Sequence, residues 1–387
     1  MTEVSSKVYT SVSTYSVSTE ATPFDANVVE HVDSTGKAVI GTDLSVAQAG
    51  STFREGTGVS LTEVATNVLR SEPKGVLRED STTNRILYNE DLTNAAWNLS
   101  NNCATPTQTG SPVDPEGGNG AWKIAANAAN NAYFGQDYGT AQSNSGVVWV
   151  HRGNTDECSI SVFDNSGPTQ VLNVNVDVST NGWKKVELEG FSAPGDALVL
   201  SPGYNGVANS ASDGDYFWVY APCLFDLDVA TSPITTTTTA VTRADDTLTG
   251  SVANLPAWNT AFTVALTFRL KGLPSGVTNG IWYASGETSR RQTIVLANGT
   301  LRSDMGGNNL SSSTGTVVAD TEYRLVYTTD GTNYFQYLDG VQKGATGTNA
   351  APSGTATAIE YGLNGNIHIK DVKIYNRYFT AAEAKYA

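Results

Sequence analysis

The chain is 387 residues long and carries 23 basic against 38 acidic residues, a formal net charge of −15 at pH 7. A surface of this sign repels nucleic-acid phosphates and anionic lipid, which argues against nucleic-acid and membrane-surface partners. Hydrophobic residues make up 39% and charged residues 16%, so the chain can form cores beneath a surface rich in Asn, Thr, Ser and Gly. This composition favours a turn-rich β protein over a helical one.

Cysteine and histidine usage gives no sign of a disulfide framework or a zinc site. Cys103, Cys158 and Cys223 are odd in number and widely spaced, and no CxxC pair is present. The three histidines also lack ligand spacing. Neither a secretory signal nor a run of about 18 apolar residues is seen. We therefore expect synthesis in a cytoplasm, without an export signal and without membrane insertion.

The first element in chain order is the N-terminal segment, residues 1–52. Its stretch "KVYTSVSTYSVSTE" alternates Val or Tyr with Ser or Thr, and this period near two predicts a strand with little apolar surface. Two interpretations stay open, a disordered terminus or a strand that pairs with a partner chain. In the second interpretation the anchoring side chains are Val8, Tyr9, Val12, Tyr15 and Val17.

Residues 53–85 form a lead-in with short strand signals and charges, and a regular pattern begins at Ile86. Short apolar runs follow, each bounded by Gly, Asn, Asp or Pro, among them "GVVWVHRG", "VLNVNVDVS" and "DYFWVYAPCLF". The alternation in "VLNVNVDVS" predicts one buried and one solvated strand face. Strands at this spacing, without a helical period between them, predict a β-sandwich over residues 86–234.

A run of five threonines then interrupts the pattern, within "TSPITTTTTAVTRADD" at residues 231–246. Thr favours extended backbone, and Pro233 breaks any strand ladder that it enters. We predict an extended connector over residues 235–246, with an ordinary edge strand as the alternative. Both interpretations place a boundary near residue 240.

Strand signals restart after the connector and continue almost to the end of the chain. "AFTVALTFRL" alternates apolar and polar residues, Asn298-Gly299 predicts a type I′ hairpin, and Asp330-Gly331 predicts another hairpin. Only the final "TAAEAKYA" has the composition of a helix. The predicted fold class is therefore all-β, with a second antiparallel sandwich over residues 247–387 in tandem with the first, preceded by an extended attachment segment.

The lead-in and the exit of the first sandwich resemble stretches found in many tailed-bacteriophage virion proteins. The lead-in pattern consists of a glycine-led strand, a Glu, Thr-Asn, an aliphatic pair, Asn-Glu-Asp and Ala-Ala-Trp. It is carried here by Gly75, Glu79, Thr83, Asn84, Ile86, Leu87, Asn89, Glu90, Asp91, Ala95, Ala96 and Trp97. In such proteins a carbohydrate-binding-like jelly roll follows and ends in an aromatic strand and a Val-Thr-Arg tail. This chain has "DYFWVYAPCLF" and "AVTRADD" there, with Phe225-Asp226 in place of a common Gln-Leu-Glu.

The C-terminal part resembles a laminin G-like, concanavalin A-like lectin/glucanase sandwich. The most specific pieces are the "YLDG" hairpin and the final "KIYNRYFTAAE", whereas Glu322-Tyr323-Arg324 replaces a common Trp-His. The two resemblances together imply a non-enzymatic fibre or spike on the head or tail of a tailed phage. Its N-terminus would attach to other virion proteins, and its lectin-like domains would bind host-surface glycans from the virion surface. Resemblance to phage fibres also implies a homotrimer.

Two alternatives remain: a capsid decoration or stabilising protein without a ligand, and a virion-associated polysaccharide-degrading enzyme. A retaining glycosidase needs two carboxylates about 5–5.5 Å apart on one sugar bond. Glu187 and Glu189 have a suitable spacing, but they alternate with Val186 and Leu188 as the wet face of a half-buried strand would.

The remaining acidic pairs also have ordinary structural interpretations. Asp213 and Asp215 flank Gly214 in a predicted turn, with a calcium loop as the alternative. Asp226 and Asp228 would cap the exit strand. We therefore assign no catalytic residue and no cofactor, with calcium at Asp213 and Asp215 as the one weak candidate.

Sugar binding requires exposed aromatic faces and a few hydrogen-bonding side chains. The predicted carbohydrate-binding residues of the second sandwich are Trp282, Tyr283, Arg290, Arg291, Tyr361 and Asn364. Tyr133, Tyr138 and Tyr204 lie near predicted turns of the first sandwich and are weaker candidates. Trp183 and Trp218 lie in apolar strands, so we predict that both are core residues.

Overall fold

The computed structural model describes residues 74–139, 143–164, 169–192, 196–274 and 278–386, together with six short strands before residue 73. These early strands are β1 (Glu30–Val32), β2 (Ala38–Ile40), β3 (Ser45–Ala47), β4 (Thr52–Glu55), β5 (Leu61–Val64) and β6 (Ser71–Glu72). The predicted anchoring residues Val8, Tyr9, Val12, Tyr15 and Val17 lie outside the described residues, so that prediction stays a prediction.

The next strands lead into the first sandwich and build it. They are β7 (Gly75–Arg78), β8 (Thr82–Asn84), β9 (Leu99–Asn101), β10 (Trp122–Ala125), β11 (Tyr133–Asp137), β12 (Ser145–His151), β13 (Glu157–Asp164), β14 (Thr169–Asp177), β15 (Trp183–Leu188), β16 (Asp196–Pro202), β17 (Tyr216–Phe225) and β18 (Val241–Arg243). One sheet has the order β15-β12-β17-β8-β18, with β10 also paired to β17. The facing sheet has the order β14-β13-β16-β11-β9, and all of these pairings are antiparallel.

The core of the first sandwich follows the alternation seen in the sequence. In β14, Leu172, Val174 and Val176 pack against the core, whereas the intervening polar residues face outward, which confirms the predicted one-sided strand. All three cysteines are buried free thiols, and burial raises the pKa of Cys103 to about 12. These thiols therefore stay protonated and behave as small apolar residues.

The second sandwich takes up the rest of the chain. Its elements are β19 (Thr247–Gly250), β20 (Ala261–Leu270), β21 (Asn279–Glu287), β22 (Gln292–Val295), β23 (Leu301–Met305), β24 (Asn308–Ser311), β25 (Glu322–Asp330), β26 (Asn333–Leu338), β27 (Val341–Gln342), β28 (Gly347–Thr348), β29 (Gly354–Leu363), β30 (Ile367–Tyr375) and α1 (Ala381–Ala384). One sheet runs β24-β23-β22-β21-β29-β19-β3, and the other runs β2-β1-β30-β20-β25-β26-β27. The predicted all-β class with two antiparallel sandwiches is confirmed, and β1 with β30 is the one parallel pair among the described strands.

The turns and the helix of this sandwich agree with the sequence in position. Both predicted hairpins are present, but at Asn298-Gly299 only Gly299 has a positive φ, 73°. A type I′ turn needs a positive φ at both central residues, so that turn type was wrong. The helix α1 begins after Thr380, whose side chain forms a capping box with Glu383. No helix among the described residues approaches the length needed to cross a membrane.

The two sandwiches are joined by the lead-in, because consecutive lead-in strands belong to different sandwiches. Strand β7 pairs with β30 of the second sandwich, and β8, four residues later, pairs with β17 and β18 of the first. The early strands β1 and β3 also add to the second sandwich, beside β30 and β19. We call the region where residues 75–90 meet residues 230–246 the junction.

The threonine run lies against the first sandwich at the junction. Ile234 and Thr236 are buried, and the Ile234 carbonyl accepts hydrogen bonds from Asn84 and Asn89. Asn89 also binds the amide of Thr236. The run forms no strand, bends at residues 237–239, and is held in place by two Asn side chains of the lead-in, so the extended connector stays a prediction.

Candidate functional site

Two of the aromatic residues predicted to bind sugar face the core of the second sandwich. Trp282 and Tyr361 are direct cross-strand partners on β21 and β29, and each is at most 2% exposed. The Trp282 indole N–H donates to Thr293 Oγ1 over 3.0 Å. The expectation that these rings offer an exposed stacking face is wrong, because β21 is a central strand and this side of it faces the other sheet.

The next three predicted residues, Tyr283, Arg290 and Arg291, are engaged in contacts within the second sandwich. Tyr283 is buried beneath the guanidinium of Arg290, which lies 5.1 Å from the ring centroid, and its hydroxyl binds Glu360. Arg291 is buried in an ion pair with Glu287, at 2.6 Å, and also donates to the Pro256 carbonyl. Neither Tyr283 nor Arg291 is open to a sugar ring.

Asn364 is the predicted sugar-binding residue that the structure leaves exposed. It lies in the left-handed region, with φ 52°, just beyond the end of β29. Its side chain lines a cleft between the two sandwiches, apart from Trp282 and Tyr361. In the first sandwich Tyr133, Tyr138 and Tyr204 are all half-buried, and the Tyr138 hydroxyl binds Ser143.

The acidic pairs considered as catalytic candidates are held in structural contacts. Glu187 lies between Lys185, at 2.7 Å, and Lys271, at 3.4 Å, and Glu189 accepts the Ala230 amide. Partial burial would raise the pKa of Glu187, but the charges of Lys271 and Lys185 outweigh it and lower the pKa to about 2. Such a carboxylate is fully ionised and does not serve as a general acid at neutral pH.

The other acidic pairs stabilise local backbone. Asp226 accepts from the Thr82 hydroxyl, the Thr83 amide and Arg85, so it fixes β8 at the end of β17. Asp215 accepts the Ser212 amide within its turn. No cluster of three or more His, Cys, Asp or Glu side chains suited to a metal occurs in the described ranges.

A row of aromatic side chains crosses the outer face of the first sandwich. His151 on β12 lies directly opposite Trp183 on β15 and Trp218 on β17, and Trp218 lies opposite Lys123 on β10. Side chains that lie directly opposite in an antiparallel sheet share a face and contact each other. Tyr216, two residues before Trp218, extends the same face. We call Trp183, His151, Trp218 and Tyr216 the aromatic row.

Ring contacts hold the aromatic row together. The His151 and Trp183 ring centroids lie 5.4 Å apart, and those of Tyr216 and Trp218 lie 6.0 Å apart at 89°. The Lys123 ammonium lies 3.9 Å above the Tyr216 ring. Trp183, His151 and Tyr216 are half-buried, and Trp218 is 8% exposed. The row is therefore a surface of contacting rings with half-buried members at both ends.

The histidine of the row is fixed in orientation by two backbone contacts. Its Nε2 accepts from the Gly182 amide at 3.3 Å. Its Nδ1 lies 2.7 Å from the Arg152 carbonyl, to which a protonated Nδ1 donates. These contacts assign the neutral Nδ1–H tautomer, so the ring presents its face and not its nitrogens to solvent.

A loop, "SPVDPEGGNG" at residues 111–120, forms a wall at one side of the row. Asp114 holds this loop together, because its carboxylate accepts the amides of Glu116, Gly118 and Gly120. Trp183 donates its indole N–H to the Val113 carbonyl at 2.7 Å, while the Val113 side chain is 55% exposed. The loop thus adds an exposed apolar side chain beside the outermost tryptophan.

Beneath the loop the same sheet face becomes a closed core. Trp149 and Tyr220 are buried there, and the Tyr220 hydroxyl binds Glu116. Burial and this hydrogen bond raise the pKa of Tyr220 far above its usual range, so it remains a neutral donor. The aromatic row lies on this same sheet face, beyond the part that the loop covers. It is at the end of β17 that is farther from the junction.

Trp183 is half-buried and packs against the buried cluster of Trp149 and Tyr220, but it lies on the outer face of its sheet and not between the two sheets. The sequence contained the signal for this face. In "GWKKVELEGF", Val186 and Leu188 are buried and Glu187 and Glu189 are exposed, as predicted. Counting back by two from Glu187 places Trp183 on the solvated face. Trp218 is buried, as predicted, but it lies on that same outer face.

No protein-family model and no curated protein sequence matches the chain. Among solved structures, Trypanosoma rangeli sialidase bound to a difluoro-KDN aligns with 17% identity and a TM-score of 0.31, over 36% of this chain and 25% of that one. The binding domain of botulinum neurotoxin serotype D aligns with 11% identity and a TM-score of 0.31, over 36% and 39%. The binding domain of Paraclostridial mosquitocidal protein 1 aligns with 12% identity and a TM-score of 0.30, over 38% and 42%.

The aligned segments cover less than half of each of these proteins. TM-scores near 0.3 are too low to assign a function to this chain by similarity.

Proposed function

We propose that the protein binds glycans through the aromatic row of its first sandwich and is displayed on the surface of a tailed-phage virion. The observation that carries the binding proposal is the row itself, four aromatic rings on one outer sheet face beside the exposed Val113. Pyranose rings have an apolar C–H face that packs on such rings, and their hydroxyls bind nearby polar groups. Lys123 and the backbone of the 111–120 loop supply polar groups at the rim.

We infer that binding takes place without hydrolysis. The best-spaced carboxylates, Glu187 and Glu189, are engaged by two lysines and by a backbone amide. A retaining site needs one protonated and one ionised carboxyl group, both free to face the sugar bond. Burial raises the pKa of Glu189, whereas at Glu187 the two lysines outweigh burial and lower the pKa. What speaks against hydrolysis is that Lys185, Lys271 and the Ala230 amide already occupy both carboxylates. Incubation with capsular or envelope polysaccharide should therefore release no new reducing ends or unsaturated products.

The binding proposal is tested on a glycan array with the full chain. Trp183→Ala should lower the signal on glycans bound by the row, because it removes a half-buried ring at one end of the row. Tyr386→Ala is the matched control, since Tyr386 is an aromatic residue of the second sandwich that is 78% exposed. Equal binding by the wild type and Trp183→Ala, at unchanged thermal stability, would exclude the row as the binding surface.

The virion proposal is supported by the resemblance of the lead-in and exit to tailed-phage proteins. In this proposal residues 1–52 contact other virion proteins, and three copies assemble. Gold-labelled antibody against residues 241–387 should decorate intact particles in electron micrographs, around the capsid for a head fibre or decoration protein and at the tail for a receptor-binding fibre. Absence of label on purified virions would contradict this assignment, and native mass spectrometry of the full chain should give three copies.

A further inference from the structure

The cleft that Asn364 lines lies next to the junction, and we call it the junction cleft. It has a volume of about 130 Å³ and is lined by the lead-in, the segment after β17 and the second sandwich. Its polar side chains are Asp80, Asp228, Asn279, Asn364 and Asn366. The first two come from the lead-in and from the segment after β17, and the three Asn residues come from the second sandwich. Neither sandwich alone therefore forms this cleft.

Asn279 carries the observation that points to a ligand. This residue begins β21 and is 3% exposed, yet its buried Oδ1 accepts no hydrogen bond within the described part of the chain. Its amide lies against Gly365, where an added Cβ would approach the Asn279 amide to 2.6 Å. A buried polar group without a partner costs about 1–3 kcal/mol, so a donor from a bound molecule would relieve it.

The other polar side chains of the cleft also have free hydrogen-bonding capacity. The exposed Asp228 carboxylate forms no hydrogen bond or ion pair with the described residues. Asn366 Oδ1 accepts the Asp80 amide at 2.8 Å, and no described residue accepts from its Nδ2. The cleft therefore offers acceptors and donors side by side, which matches hydroxyl groups that both donate and accept.

Four further lining residues form an aliphatic wall of the cleft. This wall consists of Leu227, Val229, Leu273 and Pro274. Val229 packs over Gly272, where an added Cβ would lie 2.3 Å from a Val229 methyl group. An apolar wall and a set of amides and carboxylates in one cleft are suited to a ring with one C–H face and hydroxyls at its edge.

Charge argues against a divalent cation in the same place. The buried guanidinium of Arg78 binds both Asp80 and the Gly365 carbonyl, so Asp80 is already neutralised. Asp228 is then the one uncompensated carboxylate among the described lining residues, whereas Ca²⁺ takes about 6–8 oxygen ligands. A neutral, polyhydroxylated ligand fits the cleft better.

We propose that this junction cleft binds a single saccharide unit, with Asp228, Asn279, Asn364 and Asn366 as hydrogen-bonding partners and Leu227, Val229 and Leu273 as the packing wall. The volume suits one ring, because pockets for larger ligands are about 300–1,000 Å³. This inference extends the proposed glycan binding to a second site that requires both sandwiches, and the two sites are separable by mutation.

The test is saturation-transfer difference NMR on the full chain with methyl α-D-glucopyranoside, methyl α-D-galactopyranoside, N-acetyl-D-glucosamine and L-rhamnose, each added alone. We expect transfer to the ring protons of at least one sugar, and binding about tenfold weaker in Asp228→Asn, because a hydrogen bond to a charged group is lost. Asn364→Gly should weaken binding too, since Gly keeps the positive φ and removes the amide. Asp371→Asn is the control, an exposed aspartate with φ 55° on β30.

The outcomes separate this site from the aromatic row. Loss of transfer in Asp228→Asn but not in Trp183→Ala supports the junction cleft. Loss in Trp183→Ala alone overturns the cleft while leaving the proposed glycan binding intact. Transfer to none of the four sugars, or stoichiometric Ca²⁺ uptake in titration calorimetry that Asp228→Asn abolishes, overturns the cleft as a saccharide site.

Discussion

The backbone conformation of Gly75 explains why the phage-like motif of the lead-in begins with a glycine. Gly75 has φ +124°, and a Cβ at this position would lie 2.7 Å from the Ile369 carbonyl oxygen of β30. Only a residue without a side chain allows β7 to approach β30 so closely at this angle. A motif that the sequence shows merely as a resemblance thus has a steric cause.

Gly75→Ala is predicted to destabilise the fold by about 1–3 kcal/mol, through backbone strain together with the clash. Gly214→Ala is the matched control, because Gly214 also has a positive φ, +86°, but open space around its added Cβ. Urea unfolding of both variants measures the difference. A Gly75→Ala variant no less stable than Gly214→Ala would contradict the steric explanation.

At single positions, the sequence predicted side-chain burial correctly where apolar and polar residues alternate along the strand. Glu187 and Glu189 were placed on the correct face because they alternate with Val186 and Leu188. Trp282 was placed incorrectly, since "NGIWYAS" is apolar on both strand faces and shows no period. Its burial depends on β21 lying between β22 and β29, a long-range pairing that local sequence does not encode.

At the scale of elements, the order of the 111–120 loop depends on a single side chain, that of Asp114. Asp114→Ala would remove the acceptor of three backbone amides, so the loop should open and the Val113 wall beside Trp183 should be lost. We expect faster amide exchange in residues 115–120 and weaker glycan binding, with little change in global stability. Hydrogen–deuterium exchange mass spectrometry measures the first effect and the glycan array the second.

The control for this loop is Asp330→Ala. Asp330 accepts the amides of Thr332 and Asn333 in a hairpin of the second sandwich. The substitution therefore removes a similar set of hydrogen bonds far from the 111–120 loop. Exchange in residues 115–120 should not respond to it. Should Asp114→Ala leave exchange in the loop unchanged, Asp114 would not be what orders the wall.

The lead-in shows which element-scale features lie beyond local sequence. Strand existence, hairpin positions and the terminal helix were all predicted, because each has a local signal of periodicity, glycine or capping. The pairing of "GVLR" with β30, nearly 300 residues later, has no such signal. The junction cleft could not be predicted for the same reason, since it exists only once both sandwiches are placed side by side.

Across the whole molecule, the Glu187–Lys271 contact links the first sandwich to the second. The pKa of Glu187 is lowered from 4.5 to about 2, so its ionised form favours the folded state. This contribution is present at neutral pH and is lost as pH falls from about 4.5 towards about 2. Because the Glu187 side chain is 38% exposed, solvent screens the pair and we expect less than about 1 kcal/mol.

Glu187→Gln should therefore be slightly less stable than the wild type at neutral pH and equally stable at about pH 2. Thermal unfolding of both proteins across this range measures the difference. Glu322→Gln is a suitable control, since Glu322 pairs with Lys370 within the second sandwich only. A difference between wild type and Glu187→Gln that persists at the acid end would show that Glu187 acts by something other than its charge.

The buried pair of Glu79 and Arg243 also links the sandwiches. Their side chains are 0% and 4% exposed and lie 2.9 Å apart, and Ser232 donates to Glu79 through both its amide and its hydroxyl. Glu79 follows β7 of the second sandwich, whereas Arg243 ends β18 of the first. The adjacent backbone is joined as well, because Glu79 and Asp246 exchange hydrogen bonds in both directions.

A contact of this kind should make the two sandwiches unfold together. We predict a single calorimetric transition for the wild type and two transitions for Glu79→Gln. The substitution leaves Arg243 buried without its partner, which costs about 3–5 kcal/mol. Because this cost falls at the junction and not in either core, each sandwich should then unfold separately. Glu79→Gln combined with Arg243→Gln should recover part of that loss, since the uncompensated charge is gone. A single, unshifted transition in Glu79→Gln would mean that the sandwiches are coupled through their strand pairings alone.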